Sequence, residues 1–261
     1  MQVVILCGGL GTRLREETEF RPKPMVEIGG KPILWHIMKI YSHFGFNEFI
    51  LCTGYKKEVI KNYFLNYEAM SNDCTIRLGS SHNIAIHGDS GDNWIITIAD
   101  TGQETQTGGR VKRIEKYIRG NEFMLTYGDG LANIDIAKLA QFHHQHGKIG
   151  TVTGVRPSAR FGELTIDADK VVSFAEKPQT SQSYINGGFF VFNRKIFDYI
   201  PNSTTSIFER EPLENLARDG QLMVYRHDGF WQCMDTFREL TLLNELWAKG
   251  APWKVWKEGA K

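Results

Sequence analysis

Val3-Val4-Ile5-Leu6-Cys7-Gly8-Gly9-Leu10-Gly11-Thr12-Arg13-Leu14 is the stretch on which the fold turns. Four β-prone apolar residues suit a buried strand, and the glycines just beyond it let backbone N–H groups approach an anion without Cβ interference. Arg13 and, further on, Lys23 in Arg21-Pro22-Lys23-Pro24-Met25 supply charge. The spacing excludes the two commonest glycine loops. A dinucleotide fingerprint needs a third glycine where Leu14 stands, and a P-loop needs Gly-Lys-Ser/Thr where Gly11-Thr12-Arg13 stands. Taken alone, the glycines fit a bland turn as well as a phosphate cradle. The prolines tip that balance, because each biases the residue before it, Arg21 or Lys23, away from the helical region. The segment is therefore expected to be extended and stiff, holding the Lys23 cation in place.

Downstream, the pattern alternates. Pro32 suits the first turn of a helix over Ile33–Tyr41 with Gly45 as its stop, Glu48–Thr53 reads as a strand, and a helix over about Glu58–Tyr67 follows. Ser71–Gly91, rich in small polar residues, is a loop or edge hairpin. Further strands are expected at Trp94–Ala99 and Phe123–Tyr127, with a helix near Gly109–Ile118 between them and another near Asp135–His146 after them. Short runs at Gly150–Val155, Glu163–Asp167 and Val171–Glu176 suggest an antiparallel lobe. Asn186–Phe192 and Leu222–Arg226 are further strands, Glu209–Asp219 and Thr236–Lys249 further helices. This predicts an α/β fold with a Rossmann-like mixed, mostly parallel sheet, helices on both faces and a smaller antiparallel lobe. Gly128-Asp129-Gly130 then falls at a strand's C-terminal end, the edge where ligands collect in open α/β sheets.

At 261 residues with 41% hydrophobic content the chain is expected to form one domain over 1–261, about 1–135 as one half and about 136–261, with the C-terminal helix, as the other. A net charge of +1 implies no broad basic surface and no nucleic-acid partner. No apolar stretch reaches membrane-span length and no signal-like N-terminus is present, so the expected compartment is the cytoplasm. Cys7, Cys52, Cys74 and Cys233 lack the spacing of a disulfide framework or zinc site, and Cys7 reads as a packing residue rather than a nucleophile. His143-His144-Gln145-His146 reads as a polar helix surface, since no carboxylate or cysteine near it in sequence completes a ligand set. The aromatic tail, Trp247, Trp253 and Trp256, is expected to pack on its own domain.

Gly8-Gly9-Leu10-Gly11-Thr12-Arg13-Leu14, Pro22-Lys23-Pro24-Met25, Tyr127-Gly128-Asp129-Gly130, Glu176-Lys177-Pro178, Asn186-Gly187-Gly188-Phe189 and Met234-Asp235-Thr236 occur in the order seen in sugar-1-phosphate nucleotidylyltransferases, which the chain resembles over nearly its whole length. Within that family Thr107-Gly108-Gly109-Arg110, and Pro24–His36, look most like the branch that joins CTP to glucose 1-phosphate. The resemblance implies magnesium and conversion of CTP and glucose 1-phosphate to CDP-glucose and pyrophosphate, a precursor step for deoxysugar and O-antigen synthesis. It also implies a homo-oligomer, up to a hexamer, whose subunits can complete each other's sites. A thymidylyl- or uridylyltransferase on the same sugar phosphate, and an inactive sugar-nucleotide-binding module, are the alternatives. A dehydrogenase would need the missing third glycine.

The chemistry fits these residues. In-line attack on an α-phosphorus needs positioning and charge neutralisation rather than a protein nucleophile. The backbone of Gly8, Gly9, Leu10 and Gly11 and the Arg13 guanidinium suit the β- and γ-phosphates, Lys23 suits charge near the α-phosphate, Cys7 and Thr12 join the nucleotide side, and base choice is expected to rest on Leu6, this loop and Thr105–Arg110. Asp129 alone reads as a turn residue, but its joint fit with Asp235 to the family pattern makes the pair candidate ligands for magnesium, which takes one or two carboxylates plus phosphate oxygens. By resemblance, Lys177 holds the sugar phosphate, and Glu176, Gly162 and Asn186 contact the sugar. Thr105, Gly108, Arg110 and Gly128 complete the nucleotide side. Cytosine presents acceptors at O2 and N3 beside an N4 donor, so the base-reading guanidinium is assigned to Arg110.

Overall fold

The computed structural model describes residues 1–79, 83–157, 163–167, 170–175 and 183–257. Its centre is one mixed sheet. Four strands are parallel: β1 (Gln2–Leu6), β2 (Glu48–Thr53), β3 (Ile95–Asp100) and β4 (Glu122–Tyr127), with β1 between β2 and β4 and β3 outside β2. Beyond β4 the sheet continues through β5 (Gly150–Val155), β6 (Ile185–Asn186), β7 (Phe190–Asn193) and β8 (Leu222–His227). β7 runs antiparallel to both β4 and β5, whose other edge pairs with β8 in parallel.

The apolar runs are long because both sheet faces are covered. Alternation sends Val3, Ile5, Phe49, Leu51, Met124 and Val191 to one core and Val4, Leu6, Ile50, Cys52, Leu125 and Phe190 to the other. The first core is closed by α1 (Ile33–His43), which contributes Ile37, Met38 and Tyr41, and by α4 (Ile136–His146) and α6 (Phe237–Ala248). α2 (Lys57–Leu65) adds Ile60 to this face. The second core is closed by Val111 of α3 (Thr107–Arg113) and by Leu213 and Leu216 of α5 (Glu211–Arg218). Each such side chain, fully buried, contributes roughly 1.5–3 kcal/mol. Helix ends follow local chemistry. α1 stops before Gly45 at φ +84°, and α4 starts at Asp135, whose carboxylate accepts the Lys138 N–H at 2.9 Å.

Several expectations need adjustment. Asn186–Phe192 is two strands, because Gly188 and Phe189 adopt φ +76° and +49° and break the ladder between them. Gly150–Val155 belongs to the main sheet, so the antiparallel pair off it is Glu163–Asp167 with Lys170–Ala175. Ser71–Gly91 contains a hairpin, Asp73–Arg77 with Asn83–His87. The histidine run is not uniformly surface. His143 is buried and its Nδ1 meets Thr151 Oγ1 at 2.8 Å, His146 Nε2 meets the same hydroxyl at 2.7 Å, and only His144 is exposed. The fold also brings a carboxylate to it that the local sequence lacks, Glu122, 2.8 Å from His144 Nε2. Burial pushes the His143 imidazole down to about 4.

The aromatic tail packs onto its own body. Trp253 and Trp256 join Trp35 and Trp247 around His36, whose Nε2 faces the Ile28 carbonyl at 2.9 Å. No helix among the described residues is long and apolar enough to cross a membrane.

Candidate active site

Register aligns the C-terminal ends of three strands, with Leu6 opposite both Cys52 and Tyr127. From β1 the chain first builds outward through β2 and β3, then crosses to β4 on the other side, so the crevice above β1 is the topological switch point. A cavity of about 340 Å³ opens there, lined by the glycine loop with Arg13 and Lys23, by Thr105 and Arg110, and by Tyr127, Gly128 and Asp129.

The loop is built as a cradle. Gly11 sits at φ +64°, which favours glycine. Cys7 N–H still donates to the Cys52 carbonyl, extending the β1–β2 ladder, whereas the N–H groups of Gly8, Gly9, Leu10 and Gly11 meet no protein acceptor among the described residues. Such consecutive free donors form an anion-binding concavity. The Cys7 side chain is buried, and burial, with Cys52 beside it, holds its thiol well above its ordinary value; it packs rather than attacks.

Arg110 explains Gly8. Its guanidinium is buried, donating from Nη1 to Thr101 Oγ1 at 2.8 Å and to the carbonyls of Gly102 (2.7 Å) and Thr53 (3.3 Å), and from Nη2 to the carbonyls of Gly8 (2.8 Å) and Gln103 (3.1 Å). A Cβ at Gly8 would lie 2.1 Å from Nη1, and one at Gly54 2.5 Å from it. No carboxylate forms an ion pair with Arg110 among the described residues, and its N–H groups are met by four main-chain carbonyls and the Thr101 hydroxyl beside the cavity. Arg110, expected to read the base, lines the cavity with its N–H groups already engaged by protein acceptors.

Beside the glycine loop lies an ion cluster. Lys23 Nζ donates to Asp129 Oδ2 at 2.5 Å and Asp235 Oδ1 at 2.6 Å, and Arg13 Nη1 meets Asp235 Oδ2 at 2.8 Å. Burial works against the Lys23 charge, but the two carboxylates outweigh it and hold the ammonium above its ordinary value. Lys23 is not extended as expected. Lys23–Met25 form a 3₁₀ turn, with Met25 N–H on the Pro22 carbonyl at 2.8 Å and Val26 N–H on the Lys23 carbonyl at 3.1 Å. Pro24 is tolerated because the first turn of a helix needs no N–H from it, and two hydrogen bonds outweigh the mild pre-proline bias.

Of the residues expected to contact the sugar, Asn186 donates from Nδ2 to the Tyr127 hydroxyl at 3.1 Å, while Gly162, Glu176 and Lys177 lie outside the described residues. Thr105 and Gly128 line the cavity. Gly108 does not. A Cβ there would meet Ser206 Oγ at 2.4 Å, so this glycine lets the 203–206 segment pack on α3. Leu10 is exposed. Sequence reasoning missed Gly54, whose only signal is a glycine directly after a strand, and Glu209, which is too far from any motif to be noticed.

The Nucleotidyl transferase family model matches residues 2–248, a range that takes in every candidate residue from Leu6 to Asp235. The chain is 51% identical over 259 residues to the glucose-1-phosphate cytidylyltransferase of Salmonella typhi, covering 98% of this chain and 100% of that protein. Among solved structures it is similar to HddC from Yersinia pseudotuberculosis, with a TM-score of 0.70 at 26% identity over 94% of this chain and 99% of that one. The inositol-1-phosphate CTP transferase from T. maritima shares the fold, with a TM-score of 0.68 at 18% identity over 99% of this chain and 98% of that one. With its glycine cradle, paired aspartates and switch-point cavity in one crevice, this chain belongs to the nucleotidyl transferase family.

Proposed function

We propose that this protein transfers a cytidylyl group from CTP to α-D-glucose 1-phosphate, giving CDP-glucose and pyrophosphate. The observation that carries this reading is the 51% identity, over nearly the whole of both chains, with a glucose-1-phosphate cytidylyltransferase, together with an intact Lys23, Asp129 and Asp235 cluster beside the cradle. A phosphate oxygen of the sugar phosphate attacks the α-phosphorus, the bond to the β-phosphate bridging oxygen breaks, and pyrophosphate leaves with that electron pair. The free N–H groups of Gly8–Gly11 and the Arg13 fork receive the β- and γ-phosphates. Lys23, held between two carboxylates, brings its ammonium to the α-phosphate. Lys177, Glu176, Gly162 and Asn186 orient the sugar phosphate.

Asp129 and Asp235 would hold magnesium. They fit it, since they are hard oxygen donors from two distant segments that already converge on one cation, Lys23 Nζ. When bound, the metal neutralises phosphate charge. The proposal includes the cytoplasm, where thiols such as the four unpaired cysteines stay reduced, and a homo-oligomer. The exposed Ile76, Ile84 and Ile86 of the hairpin off the main sheet support the latter.

The test is pyrophosphate release with magnesium, across CTP, UTP, dTTP and purine triphosphates and several sugar phosphates. CTP with glucose 1-phosphate is expected to be fastest, and Asp235→Asn to lower kcat about a hundredfold or more while leaving the unfolding midpoint nearly unchanged. No release from any pair would favour the inactive module, and near-normal turnover of Asp235→Asn would remove that residue from the metal site.

A further inference from the structure

One part-buried carboxylate at the site has no task in the reaction just described. Glu209, shortly before α5, accepts a hydrogen bond on each oxygen: Oε1 from the Tyr127 hydroxyl at 2.7 Å and Oε2 from the Thr107 hydroxyl at 2.7 Å. No cation pairs with it among the described residues. Its two partners both line the cavity and belong to different elements. Thr107 is the first residue of α3, the helix that carries Arg110, and its hydroxyl also accepts the Phe208 N–H at 2.9 Å. Tyr127 accepts from Asn186 Nδ2.

The donor directions along this chain are forced. Gly188 N–H donates to Asn186 Oδ1 at 2.9 Å, so the amide nitrogen must face Tyr127. The Tyr127 oxygen accepts, which turns its proton toward Glu209. On the other arm the Phe208 N–H makes the Thr107 oxygen an acceptor and sends its proton to the same carboxylate. An ionised carboxylate offers two separate acceptor oxygens and no donor, so it can end two donor chains, whereas a glutamine there would turn an amide N–H toward one of them. Burial, reinforced by Glu209, holds the Tyr127 phenol well above its ordinary value, which keeps its proton in place as a donor.

We propose that Glu209 is a positioning residue that couples the two substrate sides, presetting the Asn186 amide for the sugar through Tyr127 and the start of α3 for the nucleotide through Thr107. The inference rests on the assignment of Asn186 to the sugar and of the Arg110 helix to the base. Packing alone would not require a carboxylate here.

The experiment is steady-state kinetics with each substrate varied in turn, on Tyr127→Phe, Thr107→Val, Glu209→Gln and the Tyr127→Phe/Glu209→Gln double variant, alongside unfolding midpoints. Loss of one such hydrogen bond corresponds to about a fivefold change. Tyr127→Phe is expected to raise KM for glucose 1-phosphate about fivefold with KM for CTP unchanged, and Thr107→Val to do the converse. Glu209→Gln is expected to raise both, and the double variant to add nothing to the sugar KM beyond Glu209→Gln alone. Additive effects of Tyr127→Phe and Glu209→Gln, or a folded Glu209→Gln with both KM values unchanged, would overturn the proposal. If Glu209→Gln does not fold, the opposite selectivity of Tyr127→Phe and Thr107→Val decides it, and equal shifts in both KM values sink it. Asn186→Ala is the control on the underlying assignment: an unchanged sugar KM there overturns the sugar role of Asn186, while the effect of Glu209→Gln on the CTP KM still judges the other arm.

Discussion

Arg110 serves two ends with one guanidinium. It ties the glycine loop, Thr53 and the 101–103 segment together through five acceptors, and it lines the cavity. Arg110→Ala is therefore expected to lower the ratio of kcat/KM for CTP over UTP toward one. It should also destabilise the fold by about 2 kcal/mol, since buried carbonyls lose their donor. Parallel urea unfolding and specificity measurements separate the effects, and an unchanged ratio would confine Arg110 to holding the loop. Its residue type beside two glycines was visible in the sequence. Its engagement was not, because Gly8 and Gly54 lie far from it along the chain and only register brings them to its two sides.

Among the elements, α6 shows how a cap can aim a carboxylate. Thr236 and Glu239 form a capping box, and Glu239 Oε2 also accepts the Asp235 N–H at 2.7 Å, so the helix start fixes the backbone that presents Asp235. Thr236→Ala is expected to cost about 1 kcal/mol of stability and to lower kcat severalfold. Thermal unfolding and turnover read the two, and full turnover would show that Asp235 is held without the cap. The start of this helix was legible from Thr236 and the apolar spacing that follows. The break at Gly187–Phe189 was not, because a glycine pair in a strand reads equally as a bulge, a turn or a close approach. Only its pairing shows two short strands serving one neighbour, β5.

At the scale of the molecule, the C-terminal segment is locked to α1 by the tryptophans around His36. Burial holds the His36 imidazole down at about 4, against an ordinary value of 6.5. The unfolded chain therefore binds this proton at a pH where the native chain does not. The stability contributed by neutral His36 is fully present above about pH 6.5 and is lost as pH falls toward 4. Between pH 7.5 and 5 the loss is about 2 kcal/mol, and His143, also lowered to about 4, acts in the same direction. Urea unfolding at the two pH values checks this, and equal stabilities would show that His36 is not kept neutral in the native state.

Local chemistry along the chain carried the strand–helix alternation, the glycine cradle, most helix ends and the family motifs, because apolar periodicity, caps and short-range spacing are properties of neighbours in sequence. What required the folded chain was convergence. Lys23 meeting Asp129 and Asp235, Arg110 slotting between Gly8 and Gly54, and Glu209 gathering Tyr127 and Thr107 all depend on which strand ends lie side by side. That adjacency is set by sheet order and by the burial of two cores, long-range terms that no local window contains.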